Sequence, residues 1–315
     1  MATFRRIVEK IWLATFIVVA LVFIISYFRD DTDKLARVFD ADLRALAWAL
    51  VAQIAYFLTT VVTWQKALLY ATGKTIALRE SLSQILMVNF GKYIPGKIWG
   101  MAARGKRLVE AGYGVEEIAR TSYLEQALLL LTGFALALVA AAITFGNTIY
   151  WLGFLLALVA IMLFRHGDTI LQKLAQFIPR AGSLLRYFQV RIGTFEVLKL
   201  AAGYTFQWLF LAGAFTFVCT SIISVEITPA NIAIFVLSLT AGFLAGFLAL
   251  FAPGGVGVRE GVGAALLTSV VSLEEAVLLM LLFRVWVVAA ELIAGAIVLG
   301  SAGERGIKTG AGDDR

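Results

Sequence analysis

The chain has 315 residues, 61% of them hydrophobic and 15% charged, and a mean hydropathy of +0.88. This composition excludes an ordinary soluble domain and indicates an integral membrane protein. The net charge of +6 does not indicate a nucleic-acid partner, because the basic residues lie in loops between apolar stretches, where membrane topology and anionic headgroups explain them. One Cys and one His are too few for a zinc site, an iron–sulfur cluster or an internal disulfide, so we expect no metal and no cofactor.

Apolar runs of the ~20 residues that cross the hydrocarbon as a helix recur along the chain. The first, at 11–28, follows "FRRIVEK" and ends in "SYFRDD" without a cleavage site of small residues, so we expect a retained anchor. About six spanning helices are predicted, at 11–28, 43–65, 121–145, 148–164, 200–223 and 276–299. The expected fold class is therefore an all-α polytopic membrane protein.

Two further apolar stretches, 81–103 and 229–271, are each interrupted by Pro-Gly. Cytoplasmic loops carry an excess of Lys and Arg, and three basic residues among the first ten place the N-terminus in the cytoplasm. The basic residues of 97–120 face the same side only if 81–94 enters the membrane and returns. We therefore predict two re-entrant broken hairpins and both termini on the cytoplasmic side of the cell membrane.

The two broken stretches are related by a repeat. Pro253 lies 158 positions after Pro95. The same shift relates further identical residues: Gly96 and Gly254, Gly105 and Gly263, Leu108 and Leu266, Glu116–Glu117 and Glu274–Glu275, and Leu124 and Leu282. Because the charge distribution gives the two halves opposite orientations, we predict an inverted repeat of span, re-entrant hairpin and span.

In this interpretation all 315 residues form a single membrane domain. Its repeats are 43–146 and 200–300. The segment 165–199 between them mixes apolar and basic residues, which predicts an amphipathic helix on the inner membrane surface. Gly242 and Gly246 form a small-xxx-small pair, which favours close helix packing.

The broken segments also predict an anion site. Pro95 and Pro253 cannot continue a helix, so a new helix begins after each with free N–H groups, and a helix N-terminus binds anions. Lys97 and Arg259 add positive charge there, and transporters built from inverted repeats place substrates where such segments meet. The candidate substrate-binding residues are Lys97, Arg259, Glu260, Gly96, Gly254, Gly255, Asn89 and Lys92.

The stretch "GKYIPGKIW" also comes within one residue of the phosphate-binding loop of nucleotide hydrolases. Such a loop needs Ser or Thr after the Lys to hold Mg²⁺, and it lies between a strand and a helix. Ile98 stands at that position and cannot bind a metal ion. The phosphate that this stretch is expected to bind therefore belongs to a lipid.

Three ionisable residues, Glu125, Arg284 and Glu291, lie inside predicted spans, where each costs about 2.5–3.5 kcal/mol. The 158-residue shift maps Glu125 onto Phe283, next to Arg284, so we predict an ion pair of Glu125 and Arg284 between the halves. A structural ion pair and substrate contact both remain open for Arg284 and Glu291. The basic cluster at 104–107 is expected to hold its loop inside and to touch anionic headgroups.

The stretches "NFGKYIPGKIWGMAARGKRL" and "APGGVGVREGVGAALL" resemble the membrane domain of lysylphosphatidylglycerol synthases, over roughly residues 10 to 300. That domain defines a wider family of flippase-like proteins, with stand-alone members that serve lipid-linked sugar pathways. The resemblance implies a lipid flippase fold with Lys97, Arg259 and Glu260 at matching motif positions. The synthases continue into a soluble aminoacyl-transferase domain, which the sequence to Arg315 lacks, so we expect no attachment of amino acids to lipid.

Three functions are compatible with these features. The favoured one is a flippase or carrier that moves an anionic lipid, either a phospholipid or a polyprenyl-phosphate-linked sugar, between leaflets. A non-catalytic subunit that docks a separately encoded lipid synthase or glycosyltransferase is the main alternative. An intramembrane enzyme would use Glu125 or Glu260 as acid or base, but no aspartate pair or metal-ligand cluster supports it. We therefore expect a protein that is not an enzyme and whose partner is an anionic membrane lipid.

Overall fold

The computed structural model describes residues 40–93, 98–163, 192–249 and 252–308, and every regular element in these ranges is a helix. The α-helices are α1 (Leu43–Thr72), α2 (Leu78–Gly91), α3 (Trp99–Glu110), α4 (Val115–Phe145), α5 (Thr148–Leu163), α6 (Thr194–Ile222), α7 (Pro229–Leu248), α8 (Val258–Leu267) and α9 (Leu273–Lys308). A short 3₁₀ turn, Pro253–Gly255, precedes α8. The predicted all-α fold class is confirmed.

Five helices within the described ranges are long and apolar enough to cross a membrane: α1, α4, α6, α7 and residues Leu273–Val298 of α9. The chain is therefore a multi-pass membrane protein. The predicted span at 148–164 corresponds to α5, whose 16 residues fall short of the ~20 that a straight span needs. The predicted anchor at 11–28 and most of the linker at 165–199 lie outside the described residues.

Local sequence explains where the long helices begin and end. α1 stops at Gly73 and α4 at Gly146, two glycines in the left-handed conformation that other residues avoid. At the other end, Glu117 accepts a hydrogen bond from the Gly114 N–H at 2.8 Å and so caps the start of α4.

The start of α9 repeats this cap. Glu275 accepts hydrogen bonds from the Ser272 N–H at 3.1 Å and from the Ser272 hydroxyl at 2.9 Å. The 158-residue shift relates Gly114 to Ser272 and Glu117 to Glu275. The second glutamate of each Glu-Glu pair therefore begins the long helix that follows a broken hairpin.

Helices α2 and α3 form the first hairpin. Their backbones touch near the break, where a Cβ placed on Gly91 would lie 2.2 Å from the Gly100 Cα. At the open end, Arg107 binds Glu80 at 2.7 Å. Only glycine at both positions allows this close approach of α2 and α3. The break at 94–97 lies outside the described residues.

Helices α7 and α8 form the second hairpin. A Cβ on Gly242 would lie 2.7 Å from the Arg259 carbonyl oxygen, and one on Gly246 would lie 3.0 Å from the Arg259 Cβ. The predicted role of Gly242 and Gly246 in close packing is confirmed. α7 has 20 residues and is long enough to cross the membrane, whereas the prediction was a short re-entrant arm. Its start is defined by Pro229 at the first helical position and by the Thr228 side chain, which caps the helix.

Helices α1 and α6 pack along their lengths in opposite directions. The Asp42 N–H donates to the Ser221 carbonyl at 2.9 Å, and a Cβ on Gly203 would lie 2.6 Å from the Thr63 Oγ1. These are the opening helices of the two predicted repeats, and inverted halves require opposite directions for them. Beside this pair, Phe215 packs against Phe235 and Phe283, which fills the centre of the apolar core.

Candidate functional site

The two broken segments meet inside the protein. The Arg284 Nη2 donates to the Gly254 carbonyl at 3.1 Å. A Cβ on Gly254, whose φ is +59°, would lie 3.5 Å from the Tyr93 ring and 3.7 Å from the Lys92 carbonyl oxygen. The end of α2 and the turn before α8 are thus neighbours, as the sequence predicts for the two breaks.

Two adjoining cavities lie beside this meeting point. The larger, of ≈ 180 Å³, is bordered by side chains from α1, α2, α3, α4, α6 and α7. The smaller, of ≈ 80 Å³, is lined by Lys92, Phe243, Gly246, Phe247, Gly254 and Arg259. Lys92, Phe243 and Phe247 border both cavities. The described members of the predicted site that line a cavity are therefore Asn89, Lys92, Gly254 and Arg259.

Arg259 is a buried cation that lines the smaller cavity. It is 7% exposed, and its guanidinium lies over the Phe243 ring, 5.2 Å from the centroid. Among the described residues no carboxylate lies within ion-pair distance of it. A buried charge without a counter-ion is costly, so the smaller cavity favours an anion at this point.

Glu260, the neighbour of Arg259, is turned away from the cavity. Its carboxylate accepts a hydrogen bond from the Gly257 N–H at 2.8 Å, which caps α8. The same carboxylate lies 3.5 Å from Arg284. Glu260 therefore caps α8 and joins it to α9, and it forms no ion pair with Arg259. Gly255 packs against Gly246 at the turn.

Lys92 has a different environment. Its ammonium binds Glu291 of α9 at 2.5 Å, and the Tyr93 hydroxyl donates to the other oxygen of the same carboxylate at 3.2 Å. The Lys92 side chain is 30% exposed, whereas that of Glu291 is 3% exposed. Lys92, which borders both cavities, is therefore already paired with Glu291.

A family model described as the lysylphosphatidylglycerol synthase transmembrane region matches residues 11–295. The chain belongs to this family. Membership gives it a membrane lipid-related function and confirms the resemblance of the two motif stretches. A comparison with curated proteins yields no match to the chain.

For this lysylphosphatidylglycerol synthase family member, the predicted Glu125–Arg284 ion pair is wrong. Glu125 binds Arg104 of α3 through both oxygens, at 2.5 and 3.0 Å. Arg284 binds Glu260 instead. The reason is helical rotation: Phe283 is the equivalent of Glu125, and the next residue points about 100° away from it.

Arg104 also departs from the expectation that it touches headgroups. Its side chain is 1% exposed, and its guanidinium stacks on the Trp64 ring at 3.8 Å from the centroid. The other two basic residues of this helix agree better with the prediction, since Lys106 is 81% exposed and Arg107 is 44% exposed. All three residues are basic, so the difference in their exposure comes from where each lies around this short amphipathic helix.

Sequence reasoning missed several polar groups that the family member places around the larger cavity. The Tyr204 hydroxyl, the Gln207 Nε2 and the Asn89 Nδ2 are buried without a hydrogen-bond partner among the described residues. Asn89 was predicted, whereas Tyr204 and Gln207 lie in a predicted span and carry no motif. A glutamine inside an apolar span was the available signal.

The remaining predicted residues, Gly96 and Lys97, lie outside the described residues, so their proposed roles stay predictions. Within the described ranges, no three His, Cys, Asp or Glu side chains come together as a metal site would require. The described charged and polar groups at the two cavities include the buried Arg259 guanidinium, the paired Lys92 ammonium, the Glu125 carboxylate bound to Arg104, and the neutral side chains of Asn89, Gln207 and Tyr204.

Proposed function

We propose that this protein is a flippase or carrier that moves an anionic lipid between leaflets, with the lipid phosphate bound at Arg259. The observation that carries the proposal is a buried guanidinium that borders a cavity and has no carboxylate partner among the described residues. Arg259 also lies in the first turn of α8, where the helix dipole adds positive potential.

The surroundings of Arg259 support a phosphate that is part of a lipid. Lys92 reaches the same cavity, so a second cation is close to a bound anion. Phe243 and Phe247 supply apolar walls beside these charges. A group with a charged head and apolar chains matches this mixture, and Lys97 is expected to contribute from the first break.

The larger cavity suits the polar part of a headgroup. Its unpartnered donors and hydroxyl, on Asn89, Gln207 and Tyr204, would otherwise remain unsatisfied in a low-dielectric interior at a cost of about 1–3 kcal/mol each. A headgroup or water in this cavity would satisfy them. We propose that the phosphate occupies the smaller cavity while the headgroup extends into the larger one.

The proposal includes that the protein is not an enzyme. Glu125 and Glu260, the carboxylates considered for acid or base chemistry, are both held by arginines, and Glu260 also caps a helix. The oxygens of both carboxylates are therefore already engaged by partners within the protein, so we propose no acid or base role for them. We further propose that the cell membrane is the site of action, with both termini cytoplasmic.

A leaflet-resolved assay tests this function. The protein is reconstituted into vesicles that contain a trace of headgroup-labelled phosphatidylglycerol, and a membrane-impermeant reductant then bleaches the outer leaflet. Wild type should make inner-leaflet lipid accessible, and Arg259→Gln should abolish this. Arg107→Gln is the matched control, because Arg107 is partly exposed and pairs with Glu80 away from the cavities.

Other outcomes of this assay would replace the proposal. Chemical modification of the labelled lipid would indicate an enzyme. Lipid movement or modification that occurs only after a separate synthase or glycosyltransferase is added would indicate a docking subunit. Unchanged movement in a folded Arg259→Gln variant would remove Arg259 from the lipid path.

A further inference from the structure

A third cavity, of ≈ 320 Å³, lies between α1 and α6 and shares no residue with the two central cavities. Its walls are aliphatic or carry hydroxyl groups, and two lysines border it: Leu58, Thr59, Val62, Thr63, Lys66, Lys199, Leu200 and Gly203. Leu58 and Val62 are 57% and 45% exposed, so the groove opens on the outer surface of the helix pair.

Both lysines lie at the same end of this groove. Thr63 and Gly203 touch where the two antiparallel helices cross. Lys66 is three residues further along α1, and Lys199 is four residues back along α6, so each lies about one turn from the crossing toward the same end. Two lysines from different helices therefore border the same end of the groove.

Neither lysine is neutralised within the part of the chain that the structure describes. Lys199 contacts the Phe195 ring at 4.2 Å, and no carboxylate lies within ion-pair distance of Lys66 or Lys199. The nearest acidic residue on α6, Glu196, lies against Gly193 at the start of the helix. Adjacent like charges repel, so this end of the groove favours an anion.

The position of the two lysines along their helices places them at the level of the lipid headgroups. α1 has 30 residues, about 45 Å, which is the thickness of a bilayer including its headgroup layers. Lys66 is six residues from the end of α1 and Lys199 is five from the start of α6, so each lies within about 10 Å of a helix end. The apolar walls at Leu58 and Val62 continue from there toward the membrane centre.

We propose that this groove is a binding site for an anionic phospholipid of the bilayer, separate from the central cavities. Lys66 and Lys199 bind the phosphate-bearing headgroup, and an acyl chain lies along Leu58 and Val62. The site binds lipid from one leaflet without moving it. Its existence does not depend on lipid transport through the centre.

Lipid quenching of a fluorescent label tests the site. Cys219, the one cysteine of the chain, is replaced by Ala, and a fluorophore is attached at Leu58→Cys. The labelled protein is placed in phosphatidylcholine vesicles with brominated phosphatidylglycerol or brominated phosphatidylcholine as quencher. Because each lysine near an anionic headgroup contributes about 1 kcal/mol, we expect binding of phosphatidylglycerol to be favoured about fivefold or more.

Three variants decide the result. Lys66→Gln with Lys199→Gln should remove the preference for the anionic lipid, and Lys66→Arg with Lys199→Arg should keep it. A label at Leu292→Cys, on the exposed side of α9, should show no preference and serves as the reference surface. Equal quenching by both lipids at Leu58, or a preference that survives the double Gln change, would overturn the proposal. Protection of Leu58 from both lipids would show that a second protein chain covers the groove, which also overturns it.

Discussion

Lys92 at the end of α2 and Glu291 in α9 form an ion pair that connects the first half of the chain to the second. Lys92 borders both central cavities, and the Tyr93 hydroxyl beside it donates to the same carboxylate. A phosphate that approaches Lys92 competes with Glu291 for the same ammonium. Under the proposed function, phosphate binding at Lys92 is therefore coupled to the contact between the halves.

Breaking this pair should destabilise the protein. Lys92→Met leaves Glu291 buried without its cation, and Glu291→Gln leaves Lys92 without its anion, so each change should cost about 3 kcal/mol. The double variant should cost clearly less than the sum. Thermal unfolding in detergent, followed for the four proteins of the cycle, measures the coupling. Simple additivity would mean that the two side chains do not interact in the folded protein.

A second cycle tests the corrected pairing of Glu125. Arg104→Gln and Glu125→Gln should each destabilise by about 3–5 kcal/mol, and their effects should be strongly coupled. The matched comparison is Glu125→Gln with Arg284→Gln, whose effects should add within about 0.5 kcal/mol because the residues share no contact. Coupling in the second combination and none in the first would restore the pair that the sequence predicts.

Two glycine substitutions should act in opposite directions. Gly91→Ala places a Cβ 2.2 Å from the backbone of Gly100, which forces the arms of the first hairpin apart and should cost about 1–3 kcal/mol or more. Gly261→Ala in α8 meets no atom within 4 Å and should stabilise by up to about 1 kcal/mol through helix propensity. The melting temperatures of the two variants in the same detergent give the comparison. A neutral Gly91→Ala would show that α2 and α3 do not touch there.

Arg259 should behave as a functional rather than a structural residue. Because its buried charge has no carboxylate partner among the described residues, Arg259→Gln should leave the melting temperature unchanged or raise it. The increase in melting temperature that phosphatidylglycerol gives to wild type through the central site should be smaller in the variant. A thermal-shift series with phosphatidylglycerol and with phosphatidylcholine separates these effects. Strong destabilisation of the lipid-free variant would assign Arg259 a structural role.

The membrane topology can be checked at the starts of α4 and α9. Single cysteines at Gly114 and Ser272, in a Cys219→Ala background, should react with impermeant reagents from opposite sides, Gly114 from the cytoplasm. The two positions begin equivalent helices, so their difference in sidedness tests the inversion directly. Labelling from one side would make the halves parallel.

The sequence predicts the architecture because its strongest signals are local. Apolar length identifies the spans that correspond to α1, α4, α6 and α9, although α1 continues seven residues past the predicted end at 65, to Thr72. Gly242 and Gly246 were recognised as packing positions because small residues at that spacing allow helices to approach. Each of these inferences needs only the residues of one segment.

Charge pairing could not be predicted with the same success, because it depends on how helices are rotated against each other. Glu125 and Arg284 are one residue out of register in the repeat, and that offset turns Arg284 toward Glu260 while Phe283 enters the core against Phe215. Arg104 lies in a helix with exposed basic neighbours, and only its contacts with Trp64 reveal that it is buried. Gln207 stands out only as a polar residue inside an apolar span, and Tyr204 has no such signal.

The order of charges in the two internal ion pairs differs between the halves. In the first half the arginine is on the short helix and the glutamate on the long one, as Arg104 and Glu125; in the second half Glu260 is on the short helix and Arg284 on the long one. Under the 158-residue shift Arg104 corresponds to Val262 and Arg284 to Gln126, so the charged residues of the two pairs do not occupy equivalent positions. Each short helix is therefore fixed to the long helix that follows it by a separate ion pair, and a change in one pair leaves the other pair in place.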